Sequence, residues 1–291
     1  MNPCQPPDFS TRKPAIDVPP GACDCHAHIF GDPAKHPYVS SHRYTPASAT
    51  LSDYRAMLAA LGIARAVIVQ PTIYQDNQVT IDTLAASNGE WRGIARLGSQ
   101  VSEQELQRLH DLGFRGVRFH PKAGASQASL DEINEVCTRI APLGWHAQFH
   151  LDARHLTELG PSLERLPVPL VIDHMGHMKP ANRDDLQHDG FLQLLRWLNT
   201  GRAWVKLSAP NRFDDPLPPY PAVAPFAQAL VAANPEQLLW GSDWPHSSHA
   251  GHMPNDADLL DVLALWAPDA NVRQRILVDN PARLYGFPSI N

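Results

Sequence analysis

Arg65-Ala-Val-Ile-Val-Gln70 is a short, unbroken apolar run with a polar residue at either end. A strand with one wet face alternates apolar and polar residues, whereas a strand covered by helices on both faces of a parallel sheet reads as continuous Val and Ile. The run therefore predicts a strand of a parallel sheet. Its surroundings repeat the theme. Upstream, Ser52 to Leu61 reads as a helix stopped by Gly62, and downstream a helix from about Asn77 to Ser87 ends at Asn88-Gly89.

The alternation continues to the end of the chain. Strands are predicted at Gly93 to Leu97, Arg115 to His120, Trp145 to His150, Val168 to Asp173, Ala203 to Leu207 and Leu238 to Asp243. Ser102-Glu-Gln-Glu105 and Ser129-Leu-Asp-Glu132 read as capping boxes that open two of the intervening helices. Further helices are predicted at Arg154 to Leu163, Phe191 to Leu198, Ala222 to Ala233, Asp256 to Trp266 and Asn271 to Val278. With a first strand in Ala22-Cys23-Asp24-Cys25-His26-Ala27-His28-Ile29-Phe30, eight strands each precede a helix. That count predicts an α/β fold, a single (β/α)8 barrel over residues 21–291, with no linker at which to divide it. Residues 1–20 are polar and rich in proline, which predicts an extended N-terminal arm.

A net charge of −6 with no Lys/Arg run argues against a nucleic acid or an anionic membrane as partner, which leaves a small molecule. No stretch has the length and apolarity of a signal peptide or a membrane span, so the expected location is the cytoplasm. Cys4, Cys23, Cys25 and Cys137 lack the spacing of a disulfide framework. The oligomeric state is left open.

In such barrels the active site forms where the strands end at their C-terminal edge. His26, His28, Gln70, Arg118, His120, His150, Asp173, His174, Lys206, Ser208, Asp243 and His246 all fall there. Strand alternation predicts that Asp24, His26 and His28 share one face, with Asp24 behind an imidazole, and that Cys23 and Cys25 are buried thiols on the other. His26, His28, His150 and Asp243 offer three imidazoles and one carboxylate, a set suited to Zn2+ with a position left for water. Asp243 would serve as general base and His174 as a donor to a carbonyl oxygen. Without a metal, His26, His28 and His174 would polarise that carbonyl themselves, and both mechanisms stay open.

Asp24-Cys-His26-Ala-His28, Val171-Ile-Asp-His174-Met-Gly176, Trp240-Gly-Ser-Asp243-Trp-Pro-His246 and Asn280-Pro-Ala-Arg-Leu-Tyr285 together resemble the amidohydrolase superfamily. Within it, they look like the branch of 2-pyrone-4,6-dicarboxylate lactonases and related lactone hydrolases. The resemblance implies hydrolysis of a lactone by water attack with Asp243 as base. It also implies catalytic roles for His26, His28 and His174, and Arg118 and Arg212 as carboxylate-binding residues. His177, Gln70, Tyr44 and His246 complete the expected substrate wall, although Tyr44, Tyr74 and Asn77 read better as ordinary loop residues. Three positions depart from the pattern. His150 stands in place of a tyrosine, and His177 and Gly124 stand in place of arginines, which Lys122, Lys206 or His177 would have to replace. A lactone isomerase, a metal-dependent decarboxylase and a non-catalytic binding protein are the alternatives.

Overall fold

The computed structural model describes residues 4–40, 44–121, 129–178, 183–213 and 217–288. Its strands are β1 (Cys23–Ala27), β2 (Arg65–Val69), β3 (Arg92–Ala95), β4 (Phe114–Phe119), β5 (His146–Phe149), β6 (Leu170–Ile172), β7 (Ala203–Ser208) and β8 (Leu238–Gly241). Each pairs in parallel with the next in sequence order. The ring closes between β8 and β1. Ala27 bridges Trp244, the Asp243 N–H donates to the His26 carbonyl at 2.8 Å, and the His28 N–H donates to the Trp244 carbonyl at 2.8 Å. A Cβ on Gly241 would stand 2.8 Å from His26 Cβ, so glycine is what lets this seam form.

Helices follow the strands as predicted: α1 (Leu51–Leu61), α2 (Gln78–Ala85), α3 (Glu103–Asp111), α4 (Leu130–Ile140), α5 (Leu156–Leu163), α6 (Asp189–Asn199), α7 (Ala224–Ala233) and α8 (Asp256–Asp261). The Ser129 box before α4 is complete. Only its forward half forms at α3, where Ser102 caps the Glu105 N–H while the Glu105 carboxylate turns to Arg108 at 2.7 Å. The two long C-terminal helices are broken into α8, α9 (Leu263–Trp266), α10 (Ala270–Gln274), a π-turn at Arg275–Asp279 and α11 (Asn280–Tyr285). No helix among the described residues is long and apolar enough to cross a membrane.

The strand run that opened the reading is divided between two cores. Val67 and Val69 join Ile94, Val171, Leu239, Cys23 and Cys25 in the barrel lumen, which Tyr285 and Phe287 also enter. Ala66 and Ile68 face the helices, in the larger core.

Strict alternation fails in β1. Asp24 pairs with Ala66 and Ala27 with Ile68, so three steps on β1 match two on β2, a β-bulge that reverses parity. Asp24 consequently faces α1, where its carboxylate accepts from Tyr54 Oη at 2.9 Å, and it also accepts from the Ser242 N–H at 2.9 Å and the His26 N–H at 3.0 Å. It fixes the seam rather than orienting an imidazole. The cysteines face the lumen, and His26 enters it only beyond the bulge. All four thiols are free, with Cys23, Cys25 and Cys137 buried.

Candidate active site

Beneath the C-terminal mouth of the barrel lies a layer of buried polar side chains. Arg118 on β4 donates through Nε to Asp173 Oδ2 at 2.8 Å, and Gln148 on β5 donates to the same oxygen at 3.2 Å. Lys206 on β7 donates to Gln148 Oε1 at 2.8 Å and lies 3.6 Å from Asp173 Oδ1. His26 Nδ1 sits over this layer, 3.2 Å from Asp173 Oδ1 and 3.3 Å from Lys206 Nζ. Burial alone would raise the Asp173 pKa, but Arg118, His26 and Lys206 together hold it well below the usual carboxylate range. Asp173 is thus an anion whose charge is spent on orienting others.

Above this layer three groups converge. Asp243 Oδ1 is 3.7 Å from His26 Nε2 and 3.6 Å from His174 Nε2. Both Asp243 (φ 64°) and His174 (φ 51°) adopt left-handed backbone conformations, the kind of local strain that a surrounding structure must enforce. Arg212 donates through Nε to Asp243 Oδ2 at 2.7 Å and through Nη2 to the Ser247 carbonyl at 2.9 Å. Burial again opposes ionisation, yet Arg212, His174 and His26 keep the Asp243 carboxyl well below its ordinary pKa. His174 Nδ1 meets Ser208 Oγ at 2.8 Å. A hydroxyl can donate or accept, so His174 can present either a proton or a lone pair at Nε2. His28 Nδ1 meets the Val69 carbonyl at 2.7 Å, which places its proton there and leaves Nε2 bare.

A cavity of about 290 Å³ opens over these groups. Of the expected site residues, His28, Tyr44, Arg118, His150, His174, His177, Arg212 and Asp243 line it. Gln70 and His246 are placed elsewhere. The Gln70 amide is taken up by Thr80 Oγ1 at 2.6 Å and the Asp76 carbonyl at 2.8 Å, and His246 Nε2 faces the buried Asp256 carboxylate at 3.1 Å. Lys206 is fully buried below the cavity, so it cannot replace a substrate-binding arginine. Lys122 and Gly124 lie outside the described residues. Asn77 is a loop residue, its amide bonded to the backbone of Arg96 at 2.8 and 3.1 Å.

The histidines are held neutral. Burial, reinforced by neighbouring cations, pushes His26 and His177 down to about 4 and His28 and His120 down to about 3. His150 and His174 are lowered for the same first reason. At neutral pH the cavity floor therefore offers imidazole lone pairs and N–H donors, while Arg118 and Arg212 carry the positive charge.

Two sets of three donors come close enough to hold a metal among the described residues, His26 with His174 and Asp243, and His150 with His174 and His177, each within 4.8 Å. They differ in availability. Arg118 Nη2 and His150 Nδ1 are 2.8 Å apart, and because a guanidinium only donates, His150 accepts there and its proton moves to Nε2. That nitrogen then has no lone pair for an ion. His26 Nε2, by contrast, is buried without a hydrogen-bond partner. It fits a divalent cation shared with His174 and Asp243 in the tautomer whose Nδ1 proton faces Asp173 Oδ1 at 3.2 Å, the other tautomer accepting at Nδ1 from Lys206 Nζ at 3.3 Å. The predicted pairing of His28 and His150 in one ligand set is not what the structure brings together.

Asp173, Gln148 and Ser208 had no assigned role in the sequence. The available signal was a polar residue on the lumen parity of an otherwise apolar strand, as in His146-Ala-Gln148-Phe149.

The amidohydrolase family model matches residues 23–287. The 2-pyrone-4,6-dicarboxylate hydrolase of Comamonas testosteroni is 38% identical, over 94% of this chain and 92% of its own. The 4-sulfomuconolactone hydrolase of Rhizobium radiobacter is 37% identical, over 98% and 96% respectively. A solved Pseudomonas putida structure, described as a 2-pyrone-4,6-dicarboxylic acid hydrolase, superposes with a TM-score of 0.80 at 31% identity, covering 94% of this chain and all of that one. Both of these curated relatives are named as hydrolases, a D-galactarolactone isomerase of Agrobacterium fabrum also matches at 28% identity over 95% of each chain, and by the family match this chain belongs to the amidohydrolase family.

Proposed function

We propose that the protein hydrolyses a carboxylated lactone of aromatic or sugar-acid catabolism, with Asp243 as general base. The observation that carries this reading is the position of Asp243 Oδ1, between His26 Nε2 and His174 Nε2 on the floor of a cavity walled by Arg118 and Arg212. Water on the cavity side of Asp243 gives a proton to the carboxylate as its oxygen attacks the lactone carbonyl carbon. His174, with Ser208 donating to Nδ1, donates through Nε2 to the carbonyl oxygen as negative charge develops there. Collapse breaks the ring C–O bond, and Asp243 returns its proton to the leaving oxygen. The new carboxylic acid ionises, so one proton is released per turnover.

Arg118 and Arg212 are both anchored through their Nε and Nη2 groups, and among the described residues Nη1 of each is left for a ligand. This orientation suits carboxylate groups on the substrate. His177, neutral and on the same wall, suits an uncharged acceptor better than a third anion.

Zn2+ is the cation best matched to two imidazoles and a carboxylate, and His26, His174 and Asp243 would hold it. When bound it would supply Lewis acidity toward the carbonyl and a lower pKa for water. Free thiols suit a reducing compartment, which supports placement in the cytoplasm.

A pH-indicator assay over pyrone, muconolactone and sugar-acid lactones, with product chromatography, tests the reading. Ring opening with proton release is the expected result, and Asp243→Asn should lower kcat by roughly 100-fold or more. Full activity in Asp243→Asn would overturn the mechanism. Conversion without proton release would assign a lactone isomerase instead.

A further inference from the structure

The N-terminal arm has no catalytic residue, and residues 4–22 contain neither helix nor strand. Its contacts are nevertheless specific. Ala15 and Ile16 N–H groups donate to Asp261 Oδ1 at 2.7 and 3.2 Å, and Arg12 pairs with Asp258 and with Asp261, the latter at 2.7 Å. Asn255, the cap of α8, donates to Asp8 Oδ2 at 2.8 Å and to the Ser10 carbonyl at 3.1 Å. Pro14, between the Arg12 and Ala15 anchors, and Pro7, just before the Asp8 anchor, are buried. Four carboxylate or amide side chains thus lay the arm along α8 in one direction, toward the mouth of the barrel.

The arm ends on two walls of the active-site cavity at once. The Cys4 N–H donates to the Thr45 carbonyl at 2.8 Å, and Cys4 Sγ accepts from the Ser248 N–H at 3.4 Å. Thr45 adjoins Tyr44 in the loop after β1. Ser248, with a left-handed φ of 63°, adjoins Ser247 in the loop after β8. Tyr44, Ser247 and Ser248 line the cavity, the Tyr44 hydroxyl interacts with Ser247, and the Ser247 carbonyl holds Arg212, which holds Asp243.

We propose that the N-terminal arm buttresses the active-site wall from outside, positioning Tyr44 and the Ser247 turn and, through the Ser247 carbonyl, the Arg212 guanidinium. The arm acts through these residues and touches no reacting atom. The proposal rests on the lactonase reading only where turnover is measured.

The test releases the arm from its far anchors in the full-length protein, with the double variant Asp8→Ala/Arg12→Ala. Arm position is read by iodoacetamide labelling of Cys4, the thiol left half-exposed when the other three are buried. Site integrity is read by calorimetric titration with citrate, as a carboxylate probe of Arg118 and Arg212, and by lactone kinetics. We expect labelling to quicken about tenfold, citrate affinity to fall about tenfold, and lactone KM to rise by a similar factor with kcat less affected, since lost preorganisation weakens binding. The conservative pair Asp8→Asn/Arg12→Lys should restore all three. Faster labelling with unchanged citrate affinity and unchanged KM would overturn the proposal, leaving the arm as a brace for stability alone. Weakened citrate binding in a protein that turns over no lactone would uphold the arm's role and refute the lactonase reading.

Discussion

Arg212 Nε donates to Asp243 Oδ2 at 2.7 Å while Asp243 Oδ1 faces His26 and His174, so one carboxylate is clamped on one side and presented to the cavity on the other. The clamp fixes the plane of the carboxylate, and with it the direction from which water must be held. Because Arg212 is also tied to the Ser247 carbonyl, the clamp is itself clamped.

Arg212→Ala should remove both the orientation of Asp243 and an anchor for substrate carboxylate. Removing one partner from a well-buried pair leaves the other charge uncompensated, so stability should fall by about 2–4 kcal/mol in denaturant unfolding. Both kcat and kcat/KM should drop, the latter by roughly 1000-fold, because two functions are lost together. Arg212→Lys keeps the charge without the forked geometry and should recover stability more than activity. Wild-type kcat in Arg212→Ala would remove the clamp from the mechanism.

Asp173 offers a contrasting case, since it faces neither solvent nor substrate. Its neighbours Arg118 and Lys206 are two cations held by one buried carboxylate and one amide. Asp173→Ala should destabilise the fold by about 3–5 kcal/mol, the cost of stranding buried charge. Asp173→Asn retains an acceptor but loses the anion beside His26 Nδ1, so a folded variant should show impaired kcat with near-normal substrate affinity. Thermal melts and steady-state kinetics on the two variants separate these effects.

The metal assignment makes its own prediction, because the two donor sets share only His174. After loading with Zn2+ and extensive dialysis, elemental analysis should find about one equivalent in the wild type. His174→Ala and His26→Ala should lose it, whereas His150→Ala should keep it, since Arg118 already occupies the His150 lone pair. Retention in His26→Ala with loss in His150→Ala would move the ion to the outer set of histidines.

The barrel was legible in the sequence because the strands obey simple rules except at β1 and at the start of β4, where one step on β3 matches two on β4. Arg65-Ala-Val-Ile-Val is apolar on both faces because both faces are buried, and from β4 onward polar residues stand at or just past the strand ends, where they pair in the buried layer under the cavity or line the cavity itself. What could not be read was β1, where the rule of alternation is broken by one inserted residue. Asp24 and His26 are two apart and yet face opposite ways, a consequence of pairing with β2 that no local pattern announces. His246 and Gln70 mislead for a related reason. Each stands at a strand end beside the site, but buried partners in the following segments, Asp256 and Thr80, capture the side chain. Whether a strand-end residue faces the cavity depends on partners that only the folded chain brings near.

Stability should fall steeply in mild acid, and the sign follows from the buried histidines. His28, His120 and His146 are pushed down to about 3, and His26 and His177 to about 4, by burial above all, with Arg118, Lys206 or Arg212 adding to it. Unfolded, each returns to about 6.5 and takes up a proton that the folded state refuses. Their contribution is therefore complete above pH 6.5 and is lost as pH falls toward 4, by roughly 1.4 kcal/mol per pH unit for each histidine. Asp24, raised to about 6 by burial, works in the opposite direction, but it offsets one proton against five. Asp173 and Asp243 add to the loss only below the ordinary carboxylate range, since their pKa values are depressed. His146 isolates the effect, because it lies outside the site with both ring nitrogens buried and unpartnered beneath Gly116. Urea unfolding at pH 7, 6 and 5 should show a falling midpoint, and His146→Phe should reduce the slope by about one proton. A midpoint unchanged between pH 7 and 5 would mean that these histidines are not held neutral in the folded protein.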